Sequence, residues 1–136
     1  MSVTMRSVPN FDKLSIGVAT DLIYQELLPA CEAKGVRLIP EGHDVYNSGN
    51  YEQLKQDQTI FDVARVQRAF AAVDFIYQPA SRYQSIQKPL FECHPQGGYV
   101  SGGELMAAMI LKGYTARFAK IGEPLKLRAE FKVKNL

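Results

Sequence analysis

Ten residues near the C-terminal end constrain this chain more than any other stretch. Leu125, Leu127, Ala129, Phe131 and Val133 alternate with Lys126, Arg128, Glu130, Lys132 and Lys134. Successive side chains of a strand point to opposite faces, so unbroken alternation of this length predicts a strand with one dry face and one wet face. Just upstream, Tyr114, Ala116 and Phe118 alternate with Thr115 and Arg117, and Lys120-Ile121-Gly122-Glu123-Pro124 supplies a turn. The two runs predict an antiparallel hairpin whose wet face gathers Arg117, Lys126, Arg128, Lys132 and Lys134.

The remainder of the chain reads mainly as helices. Phe11, Leu14, Val18 and Leu22 recur at steps of three and four, and Ile16, Ala19, Ile23 and Leu27 widen the stripe, with Asn10 or Asp12 as cap. Pro29 lacks an N–H and predicts a kink or break, followed by a stop at Gly35. Val36–Ile39 reads as a short strand ended by Pro40, Glu41 to Asn50 as a loop, and Tyr51 to Gln58 as a polar turn or two of helix. A second helix starts at Thr59 with Asp62 three residues on. Its apolar side is Ile60, Val63, Ala64, Val66, Ala69, Phe70 and Val73, its outer flank carries Arg65 and Arg68, and Pro79 closes it. Ser81 to His94 suggests a short helix around Ile86, Leu90 and Phe91, with Pro89 inside or splitting it. Ser101-Gly102-Gly103-Glu104 is a capping box that opens an apolar helix, Leu105 to Lys112, buried on most sides and ended by Gly113. The expectation is an α+β fold: three to four helices packed on a small antiparallel sheet with a C-terminal β-hairpin, winged-helix-like in outline. Residues 1–10 read as a loose N-terminal arm and 11–136 as a single domain.

At 136 residues and 46% hydrophobic, the chain can bury one core without metals or disulfides. Its two cysteines, Cys31 and Cys93, are too few for a disulfide framework. No apolar run approaches the ~18 residues of a membrane span, and the first ten residues lack an apolar signal core. Residence in the cytoplasm of a host cell is therefore expected. The net charge of +2 hides an asymmetry. Lys112 to Leu136 holds seven basic and two acidic residues, whereas the preceding 111 hold nine and twelve. An electropositive end of this kind suits an anionic partner.

Cations on alternate strand residues lie ~7 Å apart, near the spacing of successive phosphates, and Tyr99 and Tyr114 can stack on a base where exposed. The same face also serves solubility and discourages edge pairing. Leu105 to Leu111 offers no side-chain donors for base edges, so nucleic acid would be held through phosphates, by the hairpin and by Arg65 and Arg68, with little specificity. Cys93-His94 is not a convincing nucleophile–base pair, because adjacent residues of a regular element point apart. Cys31, His43, Cys93 and His94 lack zinc-site spacing. Glu41-Gly42-His43-Asp44 reads as a solvated polar loop. Gly97-Gly98 and Gly102-Gly103 lack a P-loop lysine and read as tight turns. No catalytic residue, metal or cofactor is expected.

The stretch Gly98-Tyr99-Val100-Ser101-Gly102-Gly103-Glu104-Leu105-Met106-Ala107-Ala108-Met109-Ile110-Leu111-Lys112-Gly113-Tyr114 resembles the ends of small uncharacterised proteins carried by phages and plasmids. The shared pattern is a tyrosine, a capping serine, small residues, and an Ala-rich apolar helix closed by glycine and an aromatic. The resemblance implies an accessory protein of a mobile element that modulates host nucleic-acid machinery. The functional expectation is a small non-enzymatic protein that binds a nucleic acid or nucleoprotein complex through the basic hairpin. The alternative is a protein–protein interaction module, a host-factor inhibitor or virion component, anchored by Tyr46, Tyr51, Tyr77 and Tyr83.

Overall fold

The structure, a computed structural model, describes residues 2–40, 42–45, 60–121 and 126–136. Residues 122–124 of the expected turn Lys120–Pro124, the polar stretch 51–58 and the Thr59 cap lie outside the described residues, whereas Lys120 and Ile121 belong to a strand. The elements in chain order are β1 (Ser2–Val3), a 3-10 turn (Phe11–Lys13), α1 (Ile16–Leu22), a π-helical segment (Ile23–Leu27) and α2 (Leu28–Glu32). Then come β2 (Val36–Ile39), β3 (Gly42–Val45), α3 (Val63–Val73), β4 (Tyr77–Ser85), α4 (Lys88–Cys93), α5 (Gly102–Leu111), β5 (Ala116–Ile121) and β6 (Lys126–Asn135). The fold is α+β, with one antiparallel sheet in the order β1-β5-β6-β4 and a separate hairpin of β2 and β3.

The hairpin forms in the register the alternation demands. Arg117 lies opposite Glu130, and Ala116 lies opposite Phe131. Ala116, Phe118, Phe131 and Val133 are buried, so the dry face joins the core. The same core takes in α5, buried from Gly103 to Leu111. Its capping box forms as the sequence requires, with Ser101 N–H donating to Glu104 Oε1 at 2.9 Å. The helix that would enter a DNA groove in a winged helix is here the centre of the core.

The first helix departs from expectation in an instructive way. Its cap is Ser15, whose Oγ accepts from Val18 N–H, and Asn10 instead takes a left-handed backbone ahead of the 3-10 turn. Ile16 and Val18 are about half exposed, and the buried stripe is Ala19, Ile23, Leu27 and Cys31. That stripe repeats every four residues, whereas an α-helix turns every 3.6. The wider π turn absorbs the drift, with Leu28 N–H bonding Ile23 C=O five residues back. It also leads the chain into Pro29 at the start of α2, so the chain stays helical through the position where a kink or break was expected.

Three further segments differ. Residues 42–45, expected as loop, pair with β2, Ile39 opposite Gly42. The cap of α3 is Asp62, which accepts from Arg65 N–H at 3.1 Å. Tyr77–Ser85 covers the expected close of the second helix at Pro79 and the start of the stretch from Ser81 that suggested a short helix, but it forms the edge strand β4. Pro79 is tolerated there because an edge strand has one side free of ladder bonds. The register jumps from Pro79 opposite Val133 to Gln84 opposite Phe131, so residues 80–83 leave the ladder. Residues 2–10 are not a loose arm. Ser2 and Val3 pair with Arg117 and Ala116, Val3 is buried, and Val8 N–H donates to Leu111 C=O at 2.9 Å.

Candidate nucleic-acid interface

The wet face of the sheet is where three strands bring their polar side chains together. From β5, Arg117 donates through Nη2 to Glu130 Oε1 on β6 at 2.8 Å. From β4, Tyr83 reaches the same place because the bulge at 80–83 releases it from the ladder. The Arg117 guanidinium carbon stands 4.1 Å from the Tyr83 ring centroid and Lys132 Nζ 5.3 Å from it. One aromatic ring is thus held by two cations from two neighbouring strands. Each such contact at a surface stabilises by roughly 0.5–1 kcal/mol.

The charge balance of this face is positive. Lys132 and Lys134 make no ion pair among the described residues, while Glu130 offsets Arg117. Three cations against one carboxylate leave two positive charges on the described side chains. Lys126 and Arg128 stand on the same strand, opposite Ile121 and Ala119; their side chains lie outside the described residues.

Lys132 also lines a groove of about 520 Å³ with Asp74, Ala80, Lys112 and Tyr114. The bulge in β4 and the C-terminal ends of α3 and α5 form its walls. Lys112 Nζ pairs with Asp74 Oδ2 at 2.7 Å and lies 4.1 Å from the Phe70 ring centroid. Burial, then the nearby Asp74 charge, pushes the Tyr114 phenol above its ordinary pKa, so it is a neutral hydroxyl at physiological pH.

Arg65 and Arg68 are brought together with each other, but around Tyr99 rather than the hairpin. Arg65 pairs with Asp62 at 2.9 Å and with buried Glu104 at 3.5 Å, and its guanidinium carbon lies 4.9 Å from the Tyr99 ring centroid. Arg68 donates to the Tyr99 carbonyl oxygen. These arginines brace the N-terminal ends of α3 and α5. Tyr99 itself is 60% exposed, whereas Tyr114 is half-buried in the groove. Tyr77, expected as an exposed anchor, is buried in the core; Tyr46 and Tyr51 lie outside the described residues. His94 accepts from Gln96 N–H through Nδ1 at 3.0 Å, which makes it a turn cap beside the exposed Cys93. Among the described residues no helix is long and apolar enough to cross a membrane.

The feature that sequence reading missed is the position of Tyr83. Nothing in Tyr77–Ser85 alternates, so its strand and its neighbours Arg117 and Lys132 emerge only from pairing with β6. Comparison with protein-family models, with curated proteins and with solved structures finds no match to this chain.

Proposed function

We propose that the protein is a non-enzymatic binding module that takes the phosphate backbone of a nucleic acid, alone or in a nucleoprotein complex, on the wet face of its sheet. The observation that carries this reading is the Tyr83 ring with the Arg117 guanidinium carbon at 4.1 Å and Lys132 Nζ at 5.3 Å, on a face of positive balance. Phosphate neutralisation by such a face releases counterions, so affinity falls with salt. Because α5 is buried and presents no donors, affinity is expected to vary little with base sequence. A role as an accessory protein of a mobile element fits this activity.

The test is binding of a labelled oligonucleotide by fluorescence anisotropy across a salt series. The parent binds with affinity that drops steeply as salt rises. The double reversal Arg128→Glu and Lys132→Glu weakens binding at least about tenfold at low salt, with the thermal transition unchanged. Parent-like affinity in that folded variant would remove this reading. A second reading, a protein-interaction module, draws on two exposed apolar side chains. Phe75 is 57% and Leu136 67% exposed, with Leu136 N–H bonded to Ile76 C=O. Salt-insensitive association with a protein would favour it.

A further inference from the structure

The geometry of the wet face also bears on which form of nucleic acid it takes, and this step rests on the reading above. We infer that the face holds a single strand, with an unpaired base laid against the Tyr83–Arg117 pair and the adjoining phosphate in the groove at Lys132.

Four observations converge. Tyr83 and Arg117 together form a stacking surface, with the guanidinium carbon 4.1 Å from the ring centroid. Aromatic rings and guanidinium planes both accept the face of an unstacked base, which a duplex does not offer. The surface sits where β5, β6 and β4 run side by side, with β1 beyond β5. Four strands about 4.8 Å apart span roughly 14 Å between outer backbones, more than the ~12 Å width of a major groove. This part of the sheet therefore cannot sink into a duplex groove as a two-stranded ribbon can.

Lys132 links the stacking surface to the groove. Its ammonium lies 5.3 Å from the Tyr83 centroid, and the same side chain lines the cavity of about 520 Å³. A phosphate there meets Lys132, whose charge no described carboxylate offsets. Asp74 shares the cavity, but its carboxylate is held by Lys112 at 2.7 Å. Tyr99 also has two cations over its ring, Arg65 at 4.9 Å and Lys88 at 5.6 Å, but Arg65 pairs with Asp62 and Glu104 and Lys88 with Glu92, so neither is left unpaired for a phosphate as Lys132 is.

The experiment compares one labelled sequence as single-stranded DNA, single-stranded RNA and DNA duplex, by anisotropy with the full chain. The parent should bind a single strand at least about tenfold more tightly than the duplex, and the DNA and RNA arms show whether the sugar matters. Tyr83→Leu should lose about tenfold or more in single-strand affinity, whereas Tyr83→Phe, which keeps the ring, should stay within about twofold. Lys132→Gln should lower the slope of log affinity against log salt by about 0.7, the value for one single-strand phosphate. Should Tyr83→Leu fail to fold, the parent's strand preference and the Lys132→Gln slope decide the matter. Equal affinity for strand and duplex, or a folded Tyr83→Leu that binds like the parent, overturns this inference yet leaves a salt-dependent polyanion binder in place. Failure of every oligonucleotide to bind at low salt overturns both.

Discussion

Two thiols in this chain have opposite chemistry because of where the helices put them. Cys31 sits on the buried stripe of the first helix, and burial, then the charge of Glu32, pushes its thiol up to about 12. A thiol held protonated and out of solvent is a poor nucleophile, while Cys93 at the end of α4 is exposed. A disulfide-exchange reagent should therefore modify one thiol in the native protein and two in denaturant, with Cys93→Ser abolishing the native reaction. Fast labelling of Cys31 without denaturant would contradict its place in the core. Asp62 shows the same dependence on setting. The Arg65 backbone N–H, then the Arg65 guanidinium, hold its carboxyl below the ordinary value of 3.8. A depressed folded pKa adds stability above the unfolded value, and that contribution is lost as pH falls through the folded value. Asp62→Ala should cost about 0.5–2 kcal/mol near neutrality. The gap between variant and parent in urea unfolding should narrow below about pH 4, where the parent's carboxyl protonates too. A gap that stays constant down to strong acid would show that the ionised carboxylate is not what caps α3.

At the scale of elements, what could be read in the sequence was what is locally periodic. The β5–β6 hairpin and α5 each carry their own signal, an alternation in one and a capping box with an all-apolar run in the other, and both formed, with β5 running on through Lys120 and Ile121 where a turn was expected. β4 carries none: Tyr77–Ser85 is polar and contains Pro79, and it becomes a strand because β6 has a second row of backbone groups to satisfy. The candidate site fared likewise. Its cations were legible on β6, but its aromatic, Tyr83, lies on the strand that could not be foreseen. The β2–β3 hairpin is placed by another non-local contact, at the first turn of α5. Gly103 N–H and Ser101 Oγ both donate to Pro40 C=O. The backbone passes so close that a Cβ on Gly103 would overlap the Ile39 carbonyl oxygen, and neither backbone can yield without breaking the dock. Gly103→Ala should thus destabilise by roughly 3 kcal/mol or more, at the upper end for overpacking, read as a lower urea midpoint at unchanged slope. Gly17→Ala is the matched control, because nothing lies within 4 Å of a Cβ there. Equal midpoints for the two variants would mean the hairpin does not seat on α5 as described.

At the scale of the molecule, the two edges of the sheet are protected by different means, and this explains why the N-terminal residues are not free. On one side β4 carries Pro79 and a bulge, both of which spoil it as a template for another strand. On the other side β5 has no such device over its first residues. There β1 does the covering, pairing Ser2 and Val3 with Arg117 and Ala116. Val3 fills the end of the core, Thr4 Oγ1 and Thr115 Oγ1 lie 2.9 Å apart, and Val8 N–H closes onto Leu111. Removing residues 1–8 would take one core side chain, Val3, out of the core, at about 1.5–3 kcal/mol, and strip the cover from a hydrogen-bonding edge. For a domain of this size each kcal/mol shifts the thermal midpoint by roughly 2–4 °C, so the truncated protein should melt at least about 3 °C lower. It should also show greater concentration-dependent association than the full chain in sizing chromatography, since the bared edge can pair with a second copy. A truncated protein that melts and elutes like the parent would show that the edge is closed by something other than β1.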